Sequence, residues 1–323
     1  MEQERAKGVP VLVLDAGNAL FRSRDSGGAP DARARAELLL AQMDAQGTTA
    51  MAVGARDLNL GVDFLRKQTR KSKLKLLSAN LVDAKGTLLF PASTVVDVGG
   101  LKVGVVGASP ATTQPEPMEP LAQGKAAGVM RQGLPVAPAV AAEAKRLRQK
   151  ERVDLVVLLA AVPYDEVLKL ANEVEGVDFV MQSHEGRGSG IPQRMAMTTI
   201  VPPGDRGRQL AKLELSISGP GRFVDNSEVA RTRDGLRIVE TNLAKARERL
   251  AKSTDEVQKR SLESAVASLE ARRTALEKTV AGGATPAART HLLSYIQLGS
   301  DVPADPAVQK AVERIEPPGS AAH

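Results

Sequence analysis

AMAVGARDLNLGVDFL, residues 50–65, joins a buried strand to a basic helix through one short turn. Thr49 to Val53 is a compact apolar run bounded by glycines, which predicts a strand, and Asp63 to Lys71 has the spacing of a helix. The turn between them carries Ala55, Arg56 and Asp57. Upstream the same pattern recurs: Val11 to Leu14 predicts a buried strand that ends in the turn Asp15-Ala16-Gly17-Asn18. Arg33 to Gln46 then places Leu38, Leu39, Ala41 and Met43 on the inner side of a helix, with Gly47 as its stop. The order is strand, helix, strand, helix.

Downstream, Lys75 to Ala79 predicts a strand, and Val95 to Val98 with Lys102 to Gly107 predicts a hairpin around Gly99-Gly100. Ser109 to Pro138 is rich in Pro, Gly and Gln with little periodicity, and reads as a long surface loop. Helices are expected at Ala139 to Lys150 and Tyr164 to Val174, strands at Val153 to Leu159, Val177 to Met181, Met197 to Val201 and Gln209 to Ser218. Alternating βα units with inserted strand pairs predict a mixed α/β sandwich. Asp234 to Val280 differs in kind: Leu236, Leu243, Leu250 and Val257 recur every seven residues. After a phase shift Leu262, Leu269 and Leu276 do the same, with Val266 and Val280 beside them. Ser253-Thr254-Asp255-Glu256 between the two series has the form of a capping box, so a helical hairpin is expected, the alternative being one long helix with a stutter. The expected domains are 1–233, the hairpin arm 234–283, and a connector and tail 284–323.

Composition excludes several classes of function. The 323 residues suffice for one large α/β domain with an appendage. Aromatics are 2 % with no Trp, which leaves little to stack bases on. The formal charge of +6 favours anions in general, but acids and bases are interleaved along the chain, so nucleic acid is disfavoured as a partner class. Cysteine is absent, which removes disulfides, thiolate metal sites and cysteine catalysis and leaves the compartment open. No apolar run has the roughly 18–20 residues of a membrane span, and residues 1–10 hold no signal-peptide core.

Several segments, in order, resemble the N-terminal domain of 5′-nucleotidase-type metallophosphoesterases over most of Glu4 to Ser218. Ala50 to Leu65 resembles the Gly-Asn-His-Asp/Glu signature, whose preceding strand reads close to AMALG in that branch. VLVLDAGNAL at residues 11–20 resembles LLLDAGDAL, and SANLVDAKGTLLFPASTVVDVGGLKVGVVG at residues 78–107 resembles the stretch after the Asn-His motif. Val153 to Ala161 resembles the strand ending in Ser-His, Val177 to Gly186 resembles IDVIIGGHSH, and Thr199 to Leu215 resembles the returning strands. The resemblance implies an α/β–β/α sandwich in which two divalent ions, about 3.5–4 Å apart, clamp a phosphoryl group. It also implies that the ligands are largely gone. Asn18 stands at the bridging carboxylate, Ala55 at the Asn ligand, Arg56 at the His beside it, Ala161 at the Ser-His histidine and Gly186 at the last His of Gly-His-Ser-His. His184 is the one retained ligand position, Asp57 remains beside Arg56, and Asp15 lies before the ligand and is expected to tie down its loop. The opening Asp-x-His strand has no counterpart, so either an upstream segment is omitted or the first strand is missing. His291 to Glu316 resembles a connector to a further domain, and relatives of this type are often periplasmic or extracellular.

A methyl group cannot ligate a cation and a guanidinium repels one, so the expected function is a catalytically degenerate phosphoesterase serving as a scaffold or binding protein. No cofactor is expected, and a protein partner or self-association is assigned to 234–283. The alternative is weak metal-dependent nucleotide or phosphoester hydrolysis, with Mn, Zn or Mg held near His184 and Asp57. Arg56 and Arg187 either pair with Asp15, Asp57 or Glu185 in the vacated pocket or lie at the surface. Ser183, Ser189 and His184 have no triad spacing. Gly204-Asp205-Arg206-Gly207 reads as a hairpin turn before it reads as an anion site.

Overall fold

The computed structural model describes residues 2–23, 26–119, 129–183, 192–204, 207–283, 286–299 and 302–316. These divide into two compact units, Met1–Leu210 with Ile296–His323, and Ala211–Tyr295.

The first unit opens with a helical turn, Glu2–Arg5 (α1), followed by β1 (Val13–Asp15), α2 (Ala32–Ala45) and β2 (Thr48–Ala52). Next come α3 (Val62–Thr69) and β3 (Lys75–Leu77). The strands form a parallel sheet in the order β1-β2-β3, with Leu14 opposite Ala50 and Met51 opposite Leu76. Small and β-branched residues suit the central β2, where Ala50, Met51 and Ala52 are fully buried. Helices α2 and α3 cover the outer face. Ala36, Leu40, Phe64 and Leu65 pack there on Met51, Val53 and Leu76.

The chain continues through β4 (Leu81–Asp83), β5 (Ser93–Val98), β6 (Leu101–Ala108), β7 (Glu116–Pro117) and β8 (Met130–Gly133). After α4 (Val136–Arg146) come β9 (Leu155–Ala160), α5 (Tyr164–Glu173), β10 (Phe179–Gln182), β11 (Gln193–Met195) and β12 (Thr198–Val201). A six-stranded mixed sheet runs in the order β11-β12-β10-β9-β6-β5. Its centre, β12-β10-β9-β6, is parallel, and antiparallel strands close both edges. Gly99 (φ 63°) and Gly100 (φ 87°) make the β5–β6 turn, where both central residues need positive φ. All six residues of β9 are buried, as its unbroken apolar run predicts. Val156, Leu158 and Ala160 face α4 and α5 together with Val140, Leu170 and Ala171. By the period of two, Leu155, Val157 and Leu159 face the other way, and β2 packs on β9 and β6 from the first sheet. Helices, sheet, sheet, helices: the unit is an α/β–β/α sandwich.

Residues 109–138 depart from the expected loop. β8 pairs antiparallel with β4 and with β7, making a small third sheet, and α4 begins at Val136. Met-Arg-Gln-Gly has no apolar alternation to signal a strand; main-chain pairing to Leu81–Asp83 holds it, and the Arg131 guanidinium reaches the carbonyl of Pro117 and the Glu116 carboxylate.

The second unit contains most of β13 (Gln209–Ile217), then β14 (Val224–Asp225), α6 (Ser227–Lys252), α7 (Glu256–Ala281) and most of β15 (Arg289–Gln297). The strands form a separate sheet, β13-β15-β14, so β13 does not extend the six-stranded one. Helices α6 and α7 pack along one another as a hairpin. Val239 and Leu243 are buried in the seam, and Leu236, Leu250, Leu262, Leu269 and Leu276 are half-buried. Two expectations change in detail. The cap of α7 is Asp255, whose Oδ1 accepts from Gln258 N–H at 2.8 Å, whereas Ser253 ends α6. Val257 falls in the first turn of the new helix and is 79 % exposed, because the turn resets the phase. In the first unit, α8 (Pro306–Ile315) packs on α2, where Glu316 pairs with Arg35 at 2.7 Å.

Candidate functional site

The loops that follow β1 and β2 meet at the C-terminal edge of the first sheet, and a single carboxylate joins them. Asp57 is fully buried. Its Oδ2 accepts from the backbone N–H of Asn18 (2.7 Å) and Gly54 (2.8 Å), and its Oδ1 from Leu20 N–H (3.1 Å). The local sequence is built for this approach. Gly17 (φ 91°) and Asn18 (φ 60°) are both left-handed, a region that glycine enters freely and asparagine tolerates. A Cβ at Gly54 would lie 2.2 Å from Asn18 Oδ1, and one at Gly17 would lie 2.5 Å from the Ala52 carbonyl. Asp15 Oδ1 accepts from Gly17 N–H at 2.7 Å, the loop-tying contact expected of it.

The Asn18 side chain, 3 % exposed, connects three loops. Its Oδ1 accepts from Arg56 N–H at 3.1 Å, and its Nδ2 lies 3.5 Å from Ser183 Oγ after β10. Ala161, after β9, is fully buried, and its methyl would lie 2.9 Å from a Cβ at Gly17. The positions singled out from the sequence, Asn18, Ala55, Arg56, Asp57 and Ala161, therefore gather around one point. His184, Glu185, Gly186, Arg187 and Ser189 lie outside the described residues, as do Asp205 and Arg206 of the 204–207 turn. Ser183 was not anticipated as a partner of Asn18. Nor was the buried trio beneath β2: Ser109 Oγ lies 2.6 Å from the Val53 carbonyl and 2.8 Å from Ser78 Oγ, and Asn80 Oδ1 accepts from Ser109 N–H at 2.9 Å. Small polar residues in an apolar strand context were the available signal.

Burial dominates the electrostatics. It raises the Asp57 carboxyl to about 7, against three amide donors that pull it down, and the nearby Asp15 pushes it further up. Asp15 is itself raised by burial, opposed by the Gly17 amide. The described partners of Asp57 are main-chain amides, which occupy both of its oxygens.

A pair of divalent ions needs a bridging carboxylate and several further oxygen or imidazole donors. Here Asn18 offers a neutral oxygen already bonded to Arg56 N–H, Ala55 and Ala161 offer methyl groups, and both oxygens of Asp57 point at amides. Among the described residues no group of three or more His, Asp or Glu side chains is arranged to hold a metal ion. The described residues do not fit a metal pair.

No protein-family model matches the sequence, and no curated protein matches it. Solved structures do resemble it. Sulfate thiohydrolase SoxB of Thermus thermophilus, in complex with glycerol, aligns at TM-score 0.55 and 24 % identity over 66 % of this chain and 37 % of that one. A 5′-nucleotidase precursor of Thermus thermophilus aligns at TM-score 0.52 and 20 % identity over 69 % of this chain and 45 % of that one. The calcineurin-like phosphoesterase YfkN of Bacillus subtilis aligns at TM-score 0.50 and 14 % identity over 66 % of this chain and 74 % of that one. The chain thus spans less than half the length of the first two. Its fold is that of the 5′-nucleotidase-type and calcineurin-like metallophosphoesterases.

Proposed function

We propose that this chain is a non-catalytic member of the phosphoesterase fold that serves as a scaffold or binding protein. One observation carries the reading: the amide of Asn18, at the position of the bridging carboxylate, is turned into a structural link between the Arg56 backbone and the loop at Ser183. Hydrolysis by this fold requires two cations to stabilise the attacking and leaving oxygens. Losing even one transition-state donor typically costs about 2.7–4 kcal/mol of barrier, and by the resemblance the protein ligands of both ions are largely gone here. No resident cofactor belongs to this reading.

The test is direct. The purified protein is incubated with Mn²⁺, Co²⁺ or Zn²⁺, bound metal is measured by elemental analysis, and hydrolysis of AMP and of an aryl phosphate is followed. The expected result is substoichiometric metal and no turnover above the blank, unchanged by His184→Ala. Stoichiometric metal with hydrolysis abolished by that substitution would overturn the proposal. The hairpin α6–α7 is the proposed contact element, since its two helices project a long polar surface. Removing residues 234–280 should abolish partner binding or self-association, read by sedimentation, while the sandwich keeps its melting transition; association that survives the deletion rules the hairpin out.

A further inference from the structure

The interleaving of acids and bases breaks down at one place. RKQTRKSKLK, residues 66–75, holds Arg66, Lys67, Arg70, Lys71, Lys73 and Lys75 and no acid. All six are exposed, while Leu74 between them is buried. Among the described residues, no ion pair includes any of the six. The carboxylates beside them are few: Asp44 accepts from Ser72 Oγ (2.6 Å) and Lys73 N–H (2.9 Å) and feels the charge of Lys73, Asp83 feels that of Arg66, and Glu37 accepts from Gln68 Nε2 (2.9 Å). Arg66 is anchored by the Leu89 carbonyl at 2.8 Å, 5.9 Å over the ring of Phe90. The hairpin behaves differently. There Arg247 meets Glu270 at 2.5 Å, Lys252 meets Glu248 at 2.6 Å and Arg273 meets Glu277 at 3.3 Å.

We infer that the surface formed by the end of α3 and the start of β3 docks an extended acidic polypeptide segment. The geometry suits one. Arg66 and Lys67 lie in the last turn of α3, and Arg70, the C-cap with helical backbone, stands one turn after Arg66, so that pair lies about 5–6 Å apart along one face, with Lys71 following in the turn. Lys73 and Lys75, both exposed, flank the buried Leu74 where the chain enters β3. Carboxylates on alternate residues of an extended peptide repeat at about 6.6 Å, close to the spacing of the Arg66–Arg70 pair. β3 is an outer strand of its sheet, with Lys75 exposed at its start, and the basic side chains face an extended partner by their charge. The run presents no aromatic ring for bases to stack on and no exposed apolar side chain to enter a bilayer. The inference stands apart from the proposal on catalysis, because none of the six residues touches the Asn18–Asp57 cluster.

The experiment measures binding of a fluorescent glutamate decapeptide to the full chain by anisotropy, at about 20 mM and about 200 mM NaCl, a span over which exposed charges become screened. The triple variant Lys67→Glu, Lys71→Glu, Lys73→Glu is compared with Lys245→Glu, Arg249→Glu, Arg260→Glu, which changes net charge equally on the hairpin. Expected is binding that weakens with salt, falls about tenfold or more in the first variant and stays within about threefold of wild type in the second. If far-ultraviolet circular dichroism shows the first variant unfolded, Lys67→Gln, Lys71→Gln, Lys73→Gln takes its place with a smaller loss in the same direction. Equal losses in both variants, no peptide binding, or tighter binding of a DNA duplex or of phosphatidylserine vesicles overturns the inference.

Discussion

At the scale of single residues, the centre of the site is a matter of close contact and burial. Gly54 has no room for a methyl group because Asn18 Oδ1 would stand 2.2 Å from it. Gly54→Ala is expected to destabilise the protein by roughly 1–3 kcal/mol, whereas Gly28→Ala, which meets nothing within 4 Å, should stay near neutral. Urea denaturation of the two variants checks this. Asp57 makes a prediction about pH. Its carboxyl titrates at about 7 in the folded protein, against about 4 in an unfolded chain. The folded state therefore holds the proton more tightly, and the associated stability is present below about pH 4 and lost as pH rises through about 7. The melting temperature of wild type relative to Asp57→Asn should accordingly fall between those values; a flat difference would contradict the assignment. In the sequence Asp57 reads as a neighbour and ion-pair candidate of Arg56 and, in the alternative, as part of a metal site, but not as a binder of main-chain amides. Its role was hidden because its partners are main-chain amides, two of them 37 and 39 residues away, and a backbone N–H leaves no mark on residue type.

At the scale of elements, legibility followed the strength of the periodic signal. The all-apolar β9 and the heptads of α6 and α7 were evident, because burial on two faces and a seven-residue repeat each constrain many consecutive positions. β8 was not, since Met130–Gly133 is held by its partner strand β4 and by Arg131 rather than by its own pattern. The helix boundary at 253–256 was placed correctly but assigned the wrong cap. Both Ser253 and Asp255 are good capping residues, and only the backbone path selects Asp255, with extended φ −88° and ψ 123°. Asp255→Ala should cost about 1 kcal/mol of hairpin stability and Ser253→Ala only a few tenths, read from the helical signal during denaturation.

At the scale of the whole molecule, the loops at the C-terminal edge of the first sheet are tied together by hydrogen bonds of their own. A ligand that binds only the folded state at about a hundredfold its dissociation constant adds about 2.7 kcal/mol of stability. The absence of such linkage is measurable: neither EDTA nor millimolar Mn²⁺ should shift the melting temperature, and a rise of several degrees with Mn²⁺ would restore the metal reading. The sequence by itself determined the α/β class and the segments that resemble a phosphoesterase, because side-chain chemistry and hydrophobic period are local properties. Only the tertiary structure decided that Asn18 is a link between loops, that Asp57 is the buried hub of two of them, and that the six basic side chains from Arg66 to Lys75 are exposed and outside any ion pair among the described residues. Those are facts of three-dimensional proximity, and chain order does not specify which backbone amide or carboxylate comes to lie beside a given side chain.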